Sequence, residues 1–354
     1  MTASSMLPST SPVPPAEAPA QATATVPSAV ARATAWLARR PSLFTLALIV
    51  LVSVVVGLIN PAFFQLPVLF DIVRACTVLG LFALGVLIVL AAGGIDVSFA
   101  AIAALTMYGI TKASLLYFPG APIALLLVIG CVSGGVLGAF NGVLVHWLKA
   151  PSLIVTIGTQ YLWRGILLTF VGTVFFMNVP ASMESFGTLA LWRYETPQGV
   201  HAVLPATVLV LAAAALLTWW LLNRTLIGRA VFAIGGSLHI AERLGYNLRT
   251  VHIFVFAYAG FLAGLAGIVH VASTRLANPF DLVGSELDVI AAVILGGARI
   301  TGGTGSVGGT LLGVLLVTLI NNVLILAGVP STWQKVIIGS FILVAGAAFA
   351  LRKR

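Results

Sequence analysis

Charge is scarce in this sequence: 18 basic and 9 acidic side chains among 354 residues, or 8%. A soluble domain carries about 25% charged residues, so an ordinary water-exposed globular surface is excluded. Cysteine is scarcer still. Cys76 and Cys131 both lie in apolar runs, which argues against a disulfide scaffold and for two small buried hydrophobes. The five histidines are scattered, with no Cys/His metal spacing and no HExxH, so no metal site is expected. No GxSxG occurs, and no Gly-Lys pair with which a P-loop ends, so the chain is expected to hold no cofactor and no nucleotide. The net charge of +9 is spread over short loops without interleaved aromatics, and nucleic acid is not expected as a partner.

What remains is apolar: 60% hydrophobic residues and a mean hydropathy of +1.12. Repeated runs long enough to cross a bilayer predict an all-α polytopic membrane protein in contact with lipid. About ten spans are expected, near 43–59, 68–92, 97–118, 122–145, 152–176, 203–222, 251–273, 284–298, 305–328 and 333–351. Residues 1–35 are rich in Pro, Ala, Ser and Thr and cannot bury enough surface to fold, so they are expected to form a disordered cytoplasmic tail ahead of a transmembrane domain at 36–354. An even number of spans puts both termini on one side. Most loop arginines and lysines fall on that side, among them Arg39, Arg40, Lys149, Arg224, Arg229, Arg243, Arg249 and Arg299. The positive-inside rule then makes both termini cytoplasmic, in a plasma (inner) membrane.

Asp96 is the one charged residue between Arg74 and Lys112. A single helix over 75–111 would rise about 55 Å, against a hydrocarbon thickness of about 30 Å. The chain is therefore expected to break at Gly93–Gly94, with Asp96 or Ser98 capping the next helix. A broken helix with a polar residue can also line a solute path. Asn141 flanks a face of glycines at 130, 134, 138 and 142, and reads either as a path residue or as an interhelical hydrogen bond. Asn321 and Asn322 need partners too, on other helices or on a passing polar solute. Glu286 and Asp288 stand two apart, face different ways on a helix, and read as caps of a short span. Gly296 and Gly297 begin a glycine-rich stretch, GGARITGGTGSVGG, that suits a tight turn. Intramembrane carboxylates leave open an ion-coupled secondary transporter of a small polar solute. No convergent acid–base set points to an enzyme.

Within the inward loop 223–250, Ser237–Gly245 reads as a short amphipathic helix delimited by Gly235, Gly236 and Gly245. Ser237 is its cap, Leu238, Ile240, Ala241 and Leu244 its apolar face, and Glu242 and Arg243 its wet side. Four stretches in order now resemble the permease subunits of ribose-type sugar ABC importers, in the branched-chain-type permease group. They are GGIDVSFAAIAAL (93–105), NGVLVHWLKAPSLIVTIGTQYLWRGI (141–166), RTLIGRAVFAIGGSLHIAERLGYN (224–247) and GSELDVIAAVILGGARITGGTGSVGGTLLG (284–313). The chain departs from the family pattern at Phe99 and at Ser237–His239. The resemblance implies a monosaccharide importer working as a homo- or heterodimeric permease pair. ATP and Mg would be bound by a partner ABC ATPase, possibly a fused tandem, docked on the 237–245 coupling helix. An extracytoplasmic sugar-binding protein would deliver the solute.

Overall fold

The computed structural model describes residues 41–195 and 201–326, with a few positions between 328 and 343. The tail 1–35, most of the span expected at 333–351, and the basic residues Arg39, Arg40, Arg352, Lys353 and Arg354 lie outside the described residues. The chain forms an all-α polytopic bundle. Its helices are α1 (Pro41–Ile59), α2 (Leu66–Ala91), α3 (Phe99–Tyr117), α4 (Ile123–Leu148), α5 (Ser152–Ile166), α6 (Ala181–Thr188), α7 (Thr207–Arg224), α8 (Leu226–Gly236), α9 (Leu238–Arg243), α10 (Leu248–Thr274), α11 (Glu286–Leu295) and α12 (Val307–Leu326). Among the described residues seven helices are long and apolar enough to cross a membrane.

The centre of the bundle is α2, α3 and α10. Helix α2 is almost wholly enclosed from Gly80 to Ala91, a run too apolar to face water and too buried to face lipid. Helix α10 lies against α4 along most of its length because glycine faces glycine. A Cβ on Gly138 would stand 3.0 Å from Gly260 Cα, and one on Gly142 2.6 Å from Ile253 Cα. Small residues at this spacing let backbones close on each other, which replaces the hydrophobic drive that lipid cannot supply. By contrast the outer sides of α1, α4 and α5 leave Val50, Leu51, Leu58, Val132, Val136 and Ile154 exposed, as lipid or another apolar surface requires.

Two elements differ from expectation. A span was expected at 284–298, but α11 has only ten residues and rises about 15 Å, half the hydrocarbon thickness. Its run is apolar enough but bounded by Ser285 and by Gly297, whose φ of 98° stops a helix. The chain nonetheless passes from one end of the bundle to the other between Ala277 and Gly303. Ala277 pairs with Phe176 at one end, and Gly303 bonds Ala91 at the other. Irregular backbone at membrane depth is tolerated only where protein or a water-filled cavity covers it. The second difference is a β-hairpin, Ala190–Glu195 with His201–Pro205, where no strand was expected and whose second strand overlaps the start of the span expected at 203–222. It leans on the start of α2, where Trp192 lies 5.9 Å from Phe70. Apart from it the described residues are helical or irregular.

Candidate functional site

Helix α2 ends at Ala91, and Gly93 takes φ 82°, a left-handed conformation that other residues adopt only under strain. The segment 92–98 then folds back toward α3. Helix α5 holds it: Ser152 Oγ accepts the Ile95 N–H at 2.8 Å, and Thr156 Oγ1 accepts the Val97 N–H at 3.3 Å. Asp96 is fully enclosed. Its Oδ1 accepts both the Ser98 N–H and the Ser98 hydroxyl, each at 2.7 Å. Asn141, buried on α4, donates its amide to Ser98 Oγ at 2.7 Å. Three polar residues, two from the break segment and one from α4, thus form one chain of hydrogen bonds.

The expected capping does not occur. Neither Asp96 nor Ser98 accepts a free N–H of α3; the Asp96 carboxylate bonds Ser98 itself. A two-residue step back along the chain is the geometry of an Asx turn, which competes with a helix cap for the same oxygen. Two atoms of the group, Asp96 Oδ2 and Asn141 Oδ1, are buried without a partner. An unmet buried acceptor costs about 1–3 kcal/mol, so the cluster is not optimised for stability alone.

Asn321 and Asn322 stand outside this group, on α12, which packs on α1, α2 and α11. Asn322 donates to Thr318 O one turn back, a bond within its own helix. Glu286 also departs from the capping expectation. Its Oε2 accepts the N–H of Gly284, ahead of the helix, at 2.8 Å, and its Oε1 accepts the Gln160 side-chain amide at 2.8 Å. Asp288 sits in the first turn of α11. Gly296 is the last-turn cap residue of α11 and Gly297 follows it, and a Cβ on Gly296 would stand 2.8 Å from Thr310 Cα.

At the same end of the bundle three chain segments meet through glycine. Gly303 N–H donates to Ala91 O at 2.9 Å. A Cβ on Gly235 would collide with Ala91 O and stand 2.5 Å from Gly303 N, while one on Gly302 would stand 2.7 Å from Gly93 Cα. Gly235 is therefore not a spacer ahead of the short helix; it is the last turn of α8, wedged against the end of α2 and the 296–306 loop. A Cβ on Gly236 would meet nothing within 4 Å, and the residue leads into α9.

Ser237 caps α9, its Oγ accepting the Ile240 N–H at 3.4 Å, and Gly245 with φ 83° ends the turn. Leu238, Ile240 and Leu244 are 45–67% exposed, and Arg243 is exposed beside them. Ala241 was expected on the same face. It is instead fully buried, against the body of the protein. A helix of six residues turns less than twice, so one residue in contact with the body fixes which face looks outward. An open cavity of about 810 Å³ lies between α9 and the break. Its walls include Gly93, Gly94, His146, Lys149, Gly235, Glu242 and His252.

Sequence reasoning missed Gln160, Ser152 and Thr156. The signal was available: Ser152, Thr156, Thr159, Gln160 and Trp163 recur at helical spacing along α5, a polar stripe on an otherwise apolar helix.

With this geometry in hand, the chain belongs to the family described as branched-chain amino acid transport system / permease component, which it matches over residues 68–346. It is an integral, multi-pass protein of the inner membrane. The chain is 34% identical to the ribose import permease protein RbsC of Escherichia coli (strain K12) over 314 residues, 88% of this chain and 93% of that one. It is 34% identical to the ribose import permease protein RbsC of Haemophilus influenzae over 304 residues, 85% and 90% of the two chains. It is equally similar, at 34%, to the autoinducer 2 import system permease protein LsrC of Yersinia pseudotuberculosis over 287 residues, 81% and 78%. No solved structure matches it.

Proposed function

We propose that this chain is the transmembrane permease of an ATP-driven importer of a monosaccharide or similarly hydroxylated small solute. It pairs with a second permease, identical or related. It takes solute from an extracytoplasmic binding protein and is driven by a separate ATPase that binds ATP and Mg. The similarity to two kinds of solute-import permease supports the solute class. The observation that carries the coupling is α9: a capped helix fastened to the body by Ala241, with Leu238, Ile240 and Leu244 left for a partner.

The break after Gly93 is the coupling face, and we assign it to the cytoplasm together with both termini. Lys149, Arg224, Arg229, Arg243, Arg249 and Arg299 lie in segments at that end, whereas Arg193 and Arg275 lie at the hairpin end. A displacement of α9 by the ATPase reaches the 92–98 segment through Gly235 and Ala91, a contact of backbone on backbone with no side chain to absorb the motion. The Asp96–Ser98–Asn141 group then sits where the solute path meets the moving parts, and the open cavity is its inner mouth.

The test is uptake of radiolabelled D-ribose and related sugars into proteoliposomes holding the permease, its ATPase and its binding protein. Uptake that needs ATP and all three proteins is expected. Uptake that persists without the ATPase and follows a proton or sodium gradient would replace this reading with an ion-coupled carrier, in which the buried Asp96 carboxylate would be the coupling group.

A further inference from the structure

Asp96 and Glu286 are the two buried carboxylates among the described residues. Asp96 belongs to the break. Glu286 lies elsewhere, at the first residue of α11, and its setting is unlike that of a structural ion pair. Among the described residues no cation pairs with it. Both its oxygens accept from neutral donors, the Gln160 amide and the Gly284 N–H. The Gln160 bond crosses between α5 and α11, two helices with little other contact. Gln160 is the ninth residue of α5, about 12 Å along the axis from Ser152, which bonds the break segment. The pair is thus at middle depth, deeper than either loop region. Three residues on, Trp163 is nine-tenths buried, and its indole N–H has no partner.

A carboxylate and an amide are the acceptor and donor that bind a hydroxylated ring: carboxylate oxygens accept from sugar hydroxyls, and an amide N–H donates to their oxygens. A neutral amide is also the partner a hydroxyl most easily replaces on a carboxylate, since the exchange trades one neutral donor for another and separates no charges. An arginine in that place would hold the carboxylate far more tightly.

We infer that Glu286 is a solute-binding residue at the middle of the transport path, and that Gln160 occupies it between solutes. This rests on the reading of the chain as an importer of hydroxylated solutes. A sugar entering between α5 and α11 takes over Glu286 Oε1 with its hydroxyls, and the Gln160 amide returns when the sugar leaves. The Glu286–Gly284 bond persists throughout and keeps the start of α11 in place. Solutes without a hydroxyl cannot displace the amide, so the pair also selects for hydroxylated rings.

The two side chains then have opposite mutational signatures. The experiment measures initial uptake of radiolabelled D-ribose, D-xylose, D-galactose and D-glucose by the complete reconstituted complex over a range of solute concentrations. Glu286→Gln keeps one oxygen for the Gly284 N–H but puts an amide NH2 in place of the charged acceptor that faces Gln160, and is expected to raise the half-saturating concentration for the transported sugar about tenfold or more. Gln160→Ala removes the competitor, keeps the Gly284 bond, and is expected to lower that concentration several-fold. Co-elution with the ATPase and the thermal unfolding midpoint establish that each variant is folded. If Gln160→Ala and Glu286→Gln impair uptake alike, the pair is a structural clasp and the inference is overturned. It is equally overturned if folded Glu286→Gln transports like wild type. A wild-type complex that moves none of these sugars overturns the sugar reading itself, and the solute class assigned to Glu286 falls with it.

Discussion

The two ends of the bundle are fastened in different ways. At the Gly93 end, α2, α8 and the 296–306 loop meet backbone to backbone, with Gly235 against Ala91 and Gly302 against Gly93. At the hairpin end the segments meet mainly through side chains. Phe175 and Phe280 make an edge contact at 6.1 Å, His270 lies 3.3 Å from Asp281, and Asn278 donates to Asp281 at 2.8 Å. Backbone also meets backbone there, at the isolated bridge of Phe176 with Ala277 and where Gly187 of α6 lies against Ala272 of α10 so closely that a Cβ would collide with Ala272 O. Contacts of glycine on carbonyl have no slack and no rotamers, so they transmit a displacement whole. Side-chain contacts part and re-form at modest cost. A permease needs the first kind where it is pushed and the second where it must open. The cavity fits this division, since it lies at the glycine end between α9 and the break.

The largest effect is expected at Gly235. Gly235→Ala puts a methyl into Ala91 O and Gly303 N, and overpacking of this sort costs about 1–3 kcal/mol. The expected outcome is a lower unfolding midpoint and loss of ATP-dependent uptake. The neighbouring Gly236→Ala, with open space around it, is expected to leave both within error of wild type. Equal effects at the two glycines would mean that the junction is not the link.

A smaller effect is expected at Asp96. Asp96→Asn keeps the oxygen that accepts from Ser98 and places an amide where Oδ2 lacks a partner. Asp96→Ala removes both and leaves the Ser98 N–H unpaired, a cost of about 1–3 kcal/mol. Thermal unfolding in detergent should rank wild type and Asn close together and Ala clearly below. Asn as destabilising as Ala would show that the charge itself holds the segment.

At the hairpin end Phe175→Ala should matter least. An aromatic pair contributes about 0.5–1.5 kcal/mol beyond its burial, and both rings are partly exposed. A shift of a few degrees in unfolding and near-normal uptake are expected. A collapse of uptake would show that this end is rigid too, and the contrast between the ends would fail.

Much of this architecture is legible in the residues. Hydropathy alone places α2 at 68–92, against Leu66–Ala91, because a bilayer-length apolar run has few other uses. The chain turns at Gly93 because a straight helix would overrun the membrane. What is not legible depends on partners distant in sequence. Ser98 and Asn141 are 43 residues apart, and Gln160 and Glu286 are 126 apart. No local pattern joins them. Hydropathy also counts apolar length without asking whether it is helical, and so α11 was read as a full span. Ala241 was misplaced for another reason: six residues are too few for periodicity to separate the face that meets the body from the face that meets a partner. The hairpin had a signal, the alternation Leu191-Trp192-Arg193-Tyr194-Glu195, which an all-helical reading passes over.

Helix α9 is the proposed handle by which an ATPase moves this chain. Ile240→Asp places a charge at the centre of its exposed apolar face, 59% exposed and clear of the buried Ala241. Purification of this variant with the ATPase, followed by ATP-dependent sugar uptake in proteoliposomes, tests the claim directly. The expected result is a permease that inserts with a normal unfolding midpoint, loses co-elution with the ATPase, and transports nothing. A variant that keeps its ATPase and imports sugar at the wild-type rate would contradict it.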